Sequence, residues 1–304
     1  MRTLRGLDLF RKVSSDHSYQ TLNGGLITLL AVTIMVVLFI SETDSFIKPL
    51  IKKETLVDQD SDTSSVQLNI DITLPYSPCH PISLDQQDDV NKHVLDSDEH
   101  LQKIRLARDG SIIPGGFERT VPELVKAIED GEGCRLKGYI LVARVPGNFH
   151  ISFHVAHDLV ARIPRNLLGK LKFNHVINHM SFGAEDLNSL IESDFGAQEI
   201  ISYDGLKTED VGGVTRHEYF LKIIPVQFVN QCNGNRINAF TYSLNFNSGQ
   251  FHSLFGAIYF RYSFEDLTMR YTKVDKHIGT LLVSLCAILG GFFTVLGIVN
   301  KLVN

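Results

Sequence analysis

The stretch that decides the fold is Ile278 to Val299, IGTLLVSLCAILGGFFTVLGIV, which holds 22 residues and no charged side chain. A helix of this length reaches about 33 Å, enough to cross the hydrocarbon core of a bilayer. A second uncharged stretch of 18 residues, GGLITLLAVTIMVVLFIS, runs from Gly24 to Ser41. We therefore predict two transmembrane helices, one near each end of the chain.

The 236 residues between the two spans are too polar to enter lipid and numerous enough to bury a core of their own. The predicted order is a tail over 1–23, a span over 24–41, a water-facing domain over 42–277, a span over 278–299 and a tail over 300–304. The net charge of −5 provides no basic field, so we expect no nucleic-acid partner. A transporter or channel needs more spans than these two.

A cleaved signal peptide is the alternative for the first span. Its apolar run is longer than the roughly 7–15 residues of a usual signal sequence, and Ser41-Glu-Thr-Asp44 offers no small-residue cleavage site. We therefore predict a signal anchor. Basic residues in front of it favour a cytosolic N-terminus: they are Arg2, Arg5, Arg11 and Lys12.

This orientation returns the C-terminus to the cytosol and places 42–277 in a lumen. Three basic residues before the second span point the other way, namely Arg270, Lys273 and Lys276, against Lys301 behind it. The first span carries more weight, because long domains cross the membrane largely regardless of their charge.

Alternating apolar residues predict an all-β lumenal domain, an antiparallel β-sandwich with short helices. In Val66 to Leu74 every second residue is apolar. Six stretches have strand character with hairpin-like spacing: 66–74, 134–145, 149–155, 219–228, 239–246 and 257–264, the last continuing towards Thr272.

Two short helices interrupt this pattern. Thr120-Val-Pro-Glu123 resembles a capping box and predicts a helix that ends at Gly131. A second helix is predicted near 184–193. A charged stalk and loop are expected over 42–65, and irregular structure over 76–120.

No motif for a catalytic nucleophile, a zinc protease, a P-loop or a dinucleotide site is present, so we predict no catalytic residue, no cofactor and no metal. Five histidines nevertheless lie close together in the sequence, and imidazole titrates near pH 6.5. They are candidate pH sensors: His150, His154, His157, His175 and His179.

Two other interpretations of these histidines stay open. His150 and His154 share a strand face, and His175 and His179 share a helical face if that segment is helical, which suits metal ligation. The sequence shows no accompanying carboxylate pattern, which disfavours a metal. The histidines could also act separately, each held by its own hydrogen bonds.

Four cysteines are present, and Cys286 lies inside the second span. Cys79 and Cys134 each lie at the edge of a predicted strand, and a disulfide between them would close a loop of about fifty residues, worth roughly 4 kcal/mol. Other pairings that involve Cys232 stay open. A lumenal thiol oxidoreductase is an alternative function, although no C-x-x-C occurs.

The second span has small residues on one helical face, at Ser284, Ala287, Gly291 and Thr294. Small residues let helices approach closely in lipid, so this face is a candidate for helix packing.

Ordered motifs along the chain resemble those of the endoplasmic reticulum–Golgi intermediate compartment family, also called endoplasmic reticulum vesicle proteins. The motifs are LDLFRKV from Leu7, LNIDITLP from Leu68, Pro78-Cys79, Ser83-Leu-Asp85, Gly133-Cys-Arg135, VPGNFH from Val145, HVINHMSFG from His175, YFLKIIP from Tyr219 and CAILGGFFTV from Cys286. They are collinear over nearly the whole chain. The lack of a cysteine-rich C-x-x-C region indicates the smaller, cysteine-poor type.

The resemblance implies a non-enzymatic cargo receptor subunit that cycles between endoplasmic reticulum, intermediate compartment and Golgi membranes in COPI- and COPII-coated vesicles. It further implies a related member as hetero-oligomer partner, coat proteins at the cytosolic tails and lumenal cargo bound more tightly at lower pH. Leu302 and Val303 are a candidate sorting signal, although they could equally be the frayed end of the helix. A structural scaffold of early secretory membranes is an alternative.

Overall fold

The computed structural model describes residues 22–48, 50–57, 65–88, 93–94, 100–117, 120–154, 156–184, 187, 191, 195, 202–231, 233–250, 252–253, 255–274 and 276–303. Most of the predicted N-terminal tail and Cys232 lie outside these residues.

The chain divides into two compact units, one built from the terminal segments up to Leu50 and from Val274 onward, and the other from Ile51–Lys273. The first unit contains the helices α1 (Leu22–Ile47) and α5 (Ile278–Val303). Both are long and apolar enough to cross a membrane. The predicted spans 24–41 and 278–299 lie within them.

Helices α1 and α5 pack against each other within their unit. A small apolar cleft of about 180 Å³ lies along this contact, lined by Met35, Val36, Phe39, Leu285, Ile288 and Leu289. Ala31 on α1 is buried. The contact therefore joins side chains that recur about every four residues along each helix.

Thirteen strands are described between Leu50 and Val274: β1 Leu50–Val57, β2 Ser65–Leu74, β3 Ser83–Asp88, β4 His93–Val94, β5 Leu101–Leu106, β6 Gly133–Ala143, β7 Gly147–Ser152, β8 His175–Phe182, β9 Leu206–Thr208, β10 Thr215–Asn230, β11 Arg236–Gln250, β12 Ala257–Phe264 and β13 Leu267–Val274. Helices with bounds in the described part of this region are α2 Val121–Asp130, α3 His157–Val160 and α4 Arg165–Leu168.

Among the described residues, these strands form two sheets. The larger has the order β1-β13-β10-β12-β7-β3-β4, with β11 also paired to β10, and the smaller has the order β5-β6-β2-β8-β9. Most pairings are antiparallel, as predicted, but β10 runs parallel to both β12 and β13. Strands β12 and β13 follow one another along the same side of β10, which matches the strand character predicted through Thr272.

The inner faces of the two sheets share one apolar core. Leu68 and Ile72 of β2, Phe149 of β7 and Tyr219 of β10 are each fully buried in it. Burial of one such large apolar side chain stabilises the fold by roughly 1.5–3 kcal/mol. The predicted β-sandwich with short helices is therefore confirmed, because the apolar faces of both sheets pack into the same core.

Helix α2 begins directly after Thr120, as the capping-box pattern Thr120-Val-Pro-Glu123 predicted. The Thr120 amide donates a hydrogen bond to Glu123 Oε2 over 3.1 Å. Gly131 ends the helix with a φ of 74°, a conformation that glycine adopts without strain. Leu124 and Ile128 on one face of the helix are buried.

Three sequence-based expectations were wrong. Residues 50–57 form strand β1 instead of a stalk, and the stretch 76–120 contains β3, β4 and β5 instead of only irregular structure. Residues 175–182 form strand β8, so His175 and His179 do not share a helical face. Downstream, Leu187 and Ile191 are helical, within the helix predicted near 184–193.

Candidate functional site

The five histidines expected to form one cluster lie in separate surroundings. His150 and His154 belong to β7 and the turn that follows it, and their rings are in contact. His175 is buried between the sheets, whereas His179 is partly exposed. His157 begins α3 and is exposed, with Asp158 Oδ1 3.7 Å from its Nδ1.

A β-bulge in β8 separates His175 from His179. The register of β8 against β2 pairs Ile72 with Ile177 but Asp71 with His179, so Asn178 is the extra residue. Without a bulge, residues 175, 177, 179 and 181 would all face the same side of the sheet. The bulge leaves His175 facing the core and turns His179 outward.

His175 is the centre of a hydrogen-bond network between the two sheets. Its Nδ1 lies 2.8 Å from the Phe173 carbonyl oxygen, which can only accept, so Nδ1 carries the proton. Nε2 then accepts from the Tyr219 hydroxyl over 2.6 Å. The Tyr219 oxygen in turn accepts a hydrogen bond from the Thr208 hydroxyl over 2.7 Å. All of these polar groups are therefore satisfied in the core.

Burial sets the ionisation of this network. It lowers the pKa of His175 to about 4, an effect that the hydrogen bond to Phe173 only partly opposes. Burial likewise raises the pKa of the Tyr219 hydroxyl to about 12. His175 consequently stays neutral throughout the range in which a lumenal pH sensor would have to titrate, contrary to the expectation from sequence.

His217 lies beside His175, with ring centroids 5.1 Å apart. Its Nε2 contacts Asp210 Oδ1 over 2.8 Å, and both side chains are almost fully buried. Asp210 Oδ2 also accepts the Phe173 amide over 3.3 Å. This pair anchors the start of β10 against the segment that precedes β8.

His179 forms an accessible pair with a carboxylate. Its Nδ1 lies 2.9 Å from Asp204 Oδ2, and its Nε2 lies 3.0 Å from the Ser181 hydroxyl. The His179 and Asp204 side chains are 34% and 39% exposed, so solvent protons reach both. Protonation of the imidazole turns this contact into an ion pair.

Among the residues that the structure describes, Asp85, His150 and His154 bring one donor atom each to within 4.8 Å of one another. Asp85 Oδ2 lies 3.7 Å from His150 Nε2 and 3.5 Å from His154 Nδ1, and the two ring nitrogens are 3.1 Å apart. Asp85 and His150 are buried, whereas the His154 side chain is 56% exposed. The group thus opens to solvent on one side only.

Sequence reasoning missed the partners of these histidines. Asp85, Asp204, Asp210 and His217 were not predicted as site residues, because each lies far along the chain or on another strand. Ser83-Leu-Asp85 was noted only as a motif of the family. Its position on a strand adjacent to His150 is the information that the sequence lacked.

Cys79 and Cys134, the candidate pair from the sequence, form a disulfide with sulfur atoms 2.04 Å apart. Both residues are fully buried in the core. The bond therefore joins the segment after β2 to the start of β6, and β2 and β6 are neighbouring strands of the smaller sheet.

The predicted packing face of the second span lies largely away from α1. Ser284 is half-buried, whereas Ala287, Gly291 and Thr294 are exposed. Leu302 and Val303 lie in the last turn of α5.

Residues 117–300 match the family described as "Endoplasmic reticulum vesicle transporter". The chain belongs to this family. Residues 4–95 match a second family description, "Endoplasmic Reticulum-Golgi Intermediate Compartment (ERGIC)". The family that the ordered motifs indicated is thereby confirmed for this vesicle transporter chain.

Curated relatives of this vesicle transporter chain match over nearly its full length. Intermediate compartment protein 1 of Danio rerio is 28% identical over 304 residues, which cover 98% of this chain and 92% of the relative. Intermediate compartment protein 2 of Mus musculus is 26% identical, with 98% and 85% covered. Protein disulfide-isomerase 5-3 of Arabidopsis thaliana is 27% identical over 62% of this chain and 40% of its own length.

A solved structure supports the fold. The crystal structure of Erv41p aligns with a TM-score of 0.53 and 23% identity, and covers 73% of this chain and all of that one. At this identity the likeness concerns the architecture alone.

Proposed function

We propose that this vesicle transporter family member is a non-enzymatic subunit of a cargo receptor that cycles between the endoplasmic reticulum and the Golgi in coated vesicles. The observation that carries the proposal is the family match over 117–300, together with relatives named for the intermediate compartment. One sheet domain between two apolar helices suits a receptor that binds on one side of a membrane and meets a coat on the other.

The proposed orientation places Ile51–Lys273 in the lumen and both tails in the cytosol. The Cys79–Cys134 disulfide supports it, since disulfides persist in the oxidising secretory lumen and are rare in the cytosol. Protease added to sealed microsomes should leave the sheet domain intact and digest it once detergent opens the membrane. Digestion of the domain in sealed microsomes would contradict this orientation.

A related family member is the proposed partner within the membrane, and lipid surrounds the rest of both helices. Ala287, Gly291 and Thr294 present small side chains away from α1, which suits close approach of a partner helix. Gly291→Leu should reduce copurification of the related member in gentle detergent. Gly297→Leu adds the same side chain about 120° around the helix from Gly291 and should leave copurification unchanged. Equal loss in both variants would argue against this face.

Coat proteins are the proposed cytosolic partners, through Leu302 and Val303. Replacement of both residues by Ala should retain the protein in the endoplasmic reticulum, measured by its distribution between separated membrane fractions. An unchanged distribution would show that the signal lies elsewhere.

Lumenal cargo is the remaining proposed partner, with tighter binding at lower pH. Of the five candidate sensors, His179 fits best, since it is accessible and lies beside Asp204. Asp71, its register partner on β2, is already paired with Arg135 and adds a second carboxylate nearby. A protonated His179 forms an ion pair with Asp204, which stabilises the β8–β9 edge as the surface offered to a cargo protein.

Purification in gentle detergent at neutral pH and at about pH 6 tests this function directly, because imidazole changes charge between the two. Mass spectrometry should find lumenal proteins enriched at the lower pH with wild-type protein and with His100→Gln, but not with His179→Gln. Equal recovery at both pH values would remove the switch. A complete lack of lumenal proteins would favour the scaffold function instead.

A further inference from the structure

We propose that Asp85, His150 and His154 form a binding site for a divalent transition-metal ion, with Zn²⁺ as the expected occupant. The three donor atoms make a triangle with sides of 3.1, 3.5 and 3.7 Å. A tetrahedral ion with bonds of about 2.0–2.1 Å holds its donor atoms about 3.3–3.4 Å apart. The triangle therefore matches one face of such a coordination sphere.

Strand register builds two corners of the triangle. Asp85 of β3 lies directly opposite His150 of β7, and Tyr259 of β12 lies opposite His150 on its other side. The Tyr259 ring stacks on the His150 ring, with centroids 4.9 Å apart. The carboxylate and the first imidazole are thus held by neighbouring backbones and not by flexible loops.

A short turn supplies the third corner. The chain leaves β7 at Ser152, whose hydroxyl accepts the His154 amide over 3.3 Å. This contact brings His154 back beside His150, four residues earlier. The Ser83 hydroxyl donates a hydrogen bond to Asp85 Oδ2 over 3.1 Å and orients the carboxylate. Hydrogen-bonded neighbours of this kind are a common feature of metal sites in proteins.

The choice of ion follows from the donors. Two imidazole nitrogens and one carboxylate oxygen suit Zn²⁺ better than Ca²⁺ or Mg²⁺, which prefer oxygen ligands. Three protein ligands leave the fourth position of a tetrahedral Zn²⁺ ion open for water, an anion or a partner's side chain. One carboxylate balances only half of the charge of the dication.

Space for such a fourth ligand lies beside His154. A cavity of about 180 Å³ is lined there by His154, His157, Phe255 and Tyr259, among others. His154 is the exposed corner of the triangle, so the ion would be reached from this cavity. The site therefore suits a contact with a second molecule that completes the coordination.

The sequence disfavoured a metal because no carboxylate accompanies His150 and His154 in the chain. Asp85 lies 65 residues before His150 in sequence but beside it in the fold. A pair of hydrogen-bonded histidines without any metal is the competing interpretation, because the 3.1 Å contact between the rings also suits one N–H donor.

Metal titration of the full-length chain in detergent decides between the two. After treatment with a chelator, wild-type protein should retain one equivalent of added ZnCl₂ through gel filtration. His154→Ala removes an exposed ligand and should keep the fold. It should weaken Zn²⁺ affinity by at least about a hundredfold, since loss of even an outer neighbour of a ligand costs about 10–100-fold.

Two further measurements make the test specific. His100→Ala removes another exposed imidazole, one that stacks on Tyr139 in the smaller sheet, and should bind Zn²⁺ as wild type does. Co²⁺ in the wild-type site should show the strong visible bands of a four-coordinate ion, and these bands should be absent in His154→Ala. The proposal is overturned if wild-type protein retains no Zn²⁺, or if His154→Ala and His150→Ala bind it as tightly as wild type.

Discussion

His175 Nε2 lies 2.6 Å from the hydroxyl of Tyr219, and this hydrogen bond joins the smaller sheet to the larger one through the middle of the core. His175 belongs to β8 and Tyr219 to β10, and both residues are fully buried. The contact is part of a chain of hydrogen bonds that runs from the Phe173 carbonyl to the Thr208 hydroxyl. Polar groups in such a position specify the alignment of the two sheets only while every one of them is satisfied.

Removal of the Tyr219 hydroxyl should therefore destabilise the sheet domain. Tyr219→Phe keeps the ring but leaves His175 Nε2 and the Thr208 hydroxyl without this partner, which costs about 1–3 kcal/mol. Urea unfolding followed by circular dichroism measures the change. Tyr76→Phe removes a hydroxyl from a half-exposed ring and should change stability by less than about 0.5 kcal/mol. Similar effects in both variants would argue against the network.

Acid should weaken the domain through His175. Its native pKa of about 4 lies below the ordinary 6.5, so between these values the unfolded chain binds a proton that the native state does not. The free energy of unfolding therefore falls as pH drops from about 6.5 to about 4, by up to about 3 kcal/mol from this residue. The groups that face it are His217, Asp210 and Tyr219.

The test of this prediction is how steeply stability changes with pH, and not the stability at any single pH. Urea midpoints measured across this pH range should fall less steeply with acid for His175→Gln than for wild type, whatever the variant's stability at neutral pH. An unchanged slope would show that His175 does not remain neutral in the native state.

The ion pair between Asp71 and Arg135 should contribute to stability above mildly acid pH. Arg135 donates to both Asp71 oxygens, over 2.7 and 2.6 Å, and Asn178 donates to the first of them over 2.9 Å. Burial acts to raise the pKa of Asp71, but the bonds from Arg135 and Asn178 outweigh it and hold the pKa below its ordinary value. The stabilisation is therefore lost as pH falls through this lowered pKa.

Asp71→Asn should cost about 1–3 kcal/mol, because the two hydrogen bonds from Arg135 to the charged carboxylate are replaced by contacts with a neutral amide that has only one acceptor oxygen. Denaturant unfolding at neutral pH measures this. Glu265→Gln breaks the pair with Lys222, whose side chain is 60% exposed, and should cost less than about 1 kcal/mol. An equal loss of unfolding free energy in the two variants would show that the buried ion pair stabilises the domain no more than the exposed one.

The disulfide between Cys79 and Cys134 should account for a large share of the domain's stability. It closes a loop over a sequence separation of 55 residues, which corresponds to about 4 kcal/mol in the chain-entropy model. Cys79→Ala with Cys134→Ala should lower the free energy of unfolding by about this amount. Cys286→Ala, in α5, should leave the domain unchanged. Loss of less than about 1 kcal/mol in the double variant would contradict the expectation.

Local patterns in the sequence predicted the elements with a strong period. Val66 to Leu74 alternates because one face of β2 packs in the core, and α2 follows from its capping box and Gly131. Strands β3 and β5 have shorter or more polar patterns and were not predicted. Strand β8 was missed because the bulge at Asn178 breaks its period of two.

Length, hydrophobicity and ordered motifs thus determined the two apolar helices, the sheet class and the family, because these are properties of neighbouring residues in the chain. The tertiary structure decided which histidines meet which carboxylates. Strand register places Asp85 opposite His150. It also places His175 and His179 on opposite faces of the smaller sheet. Register is set by collective packing of strands that are distant in sequence, since a slip of one residue moves every side chain to the other face.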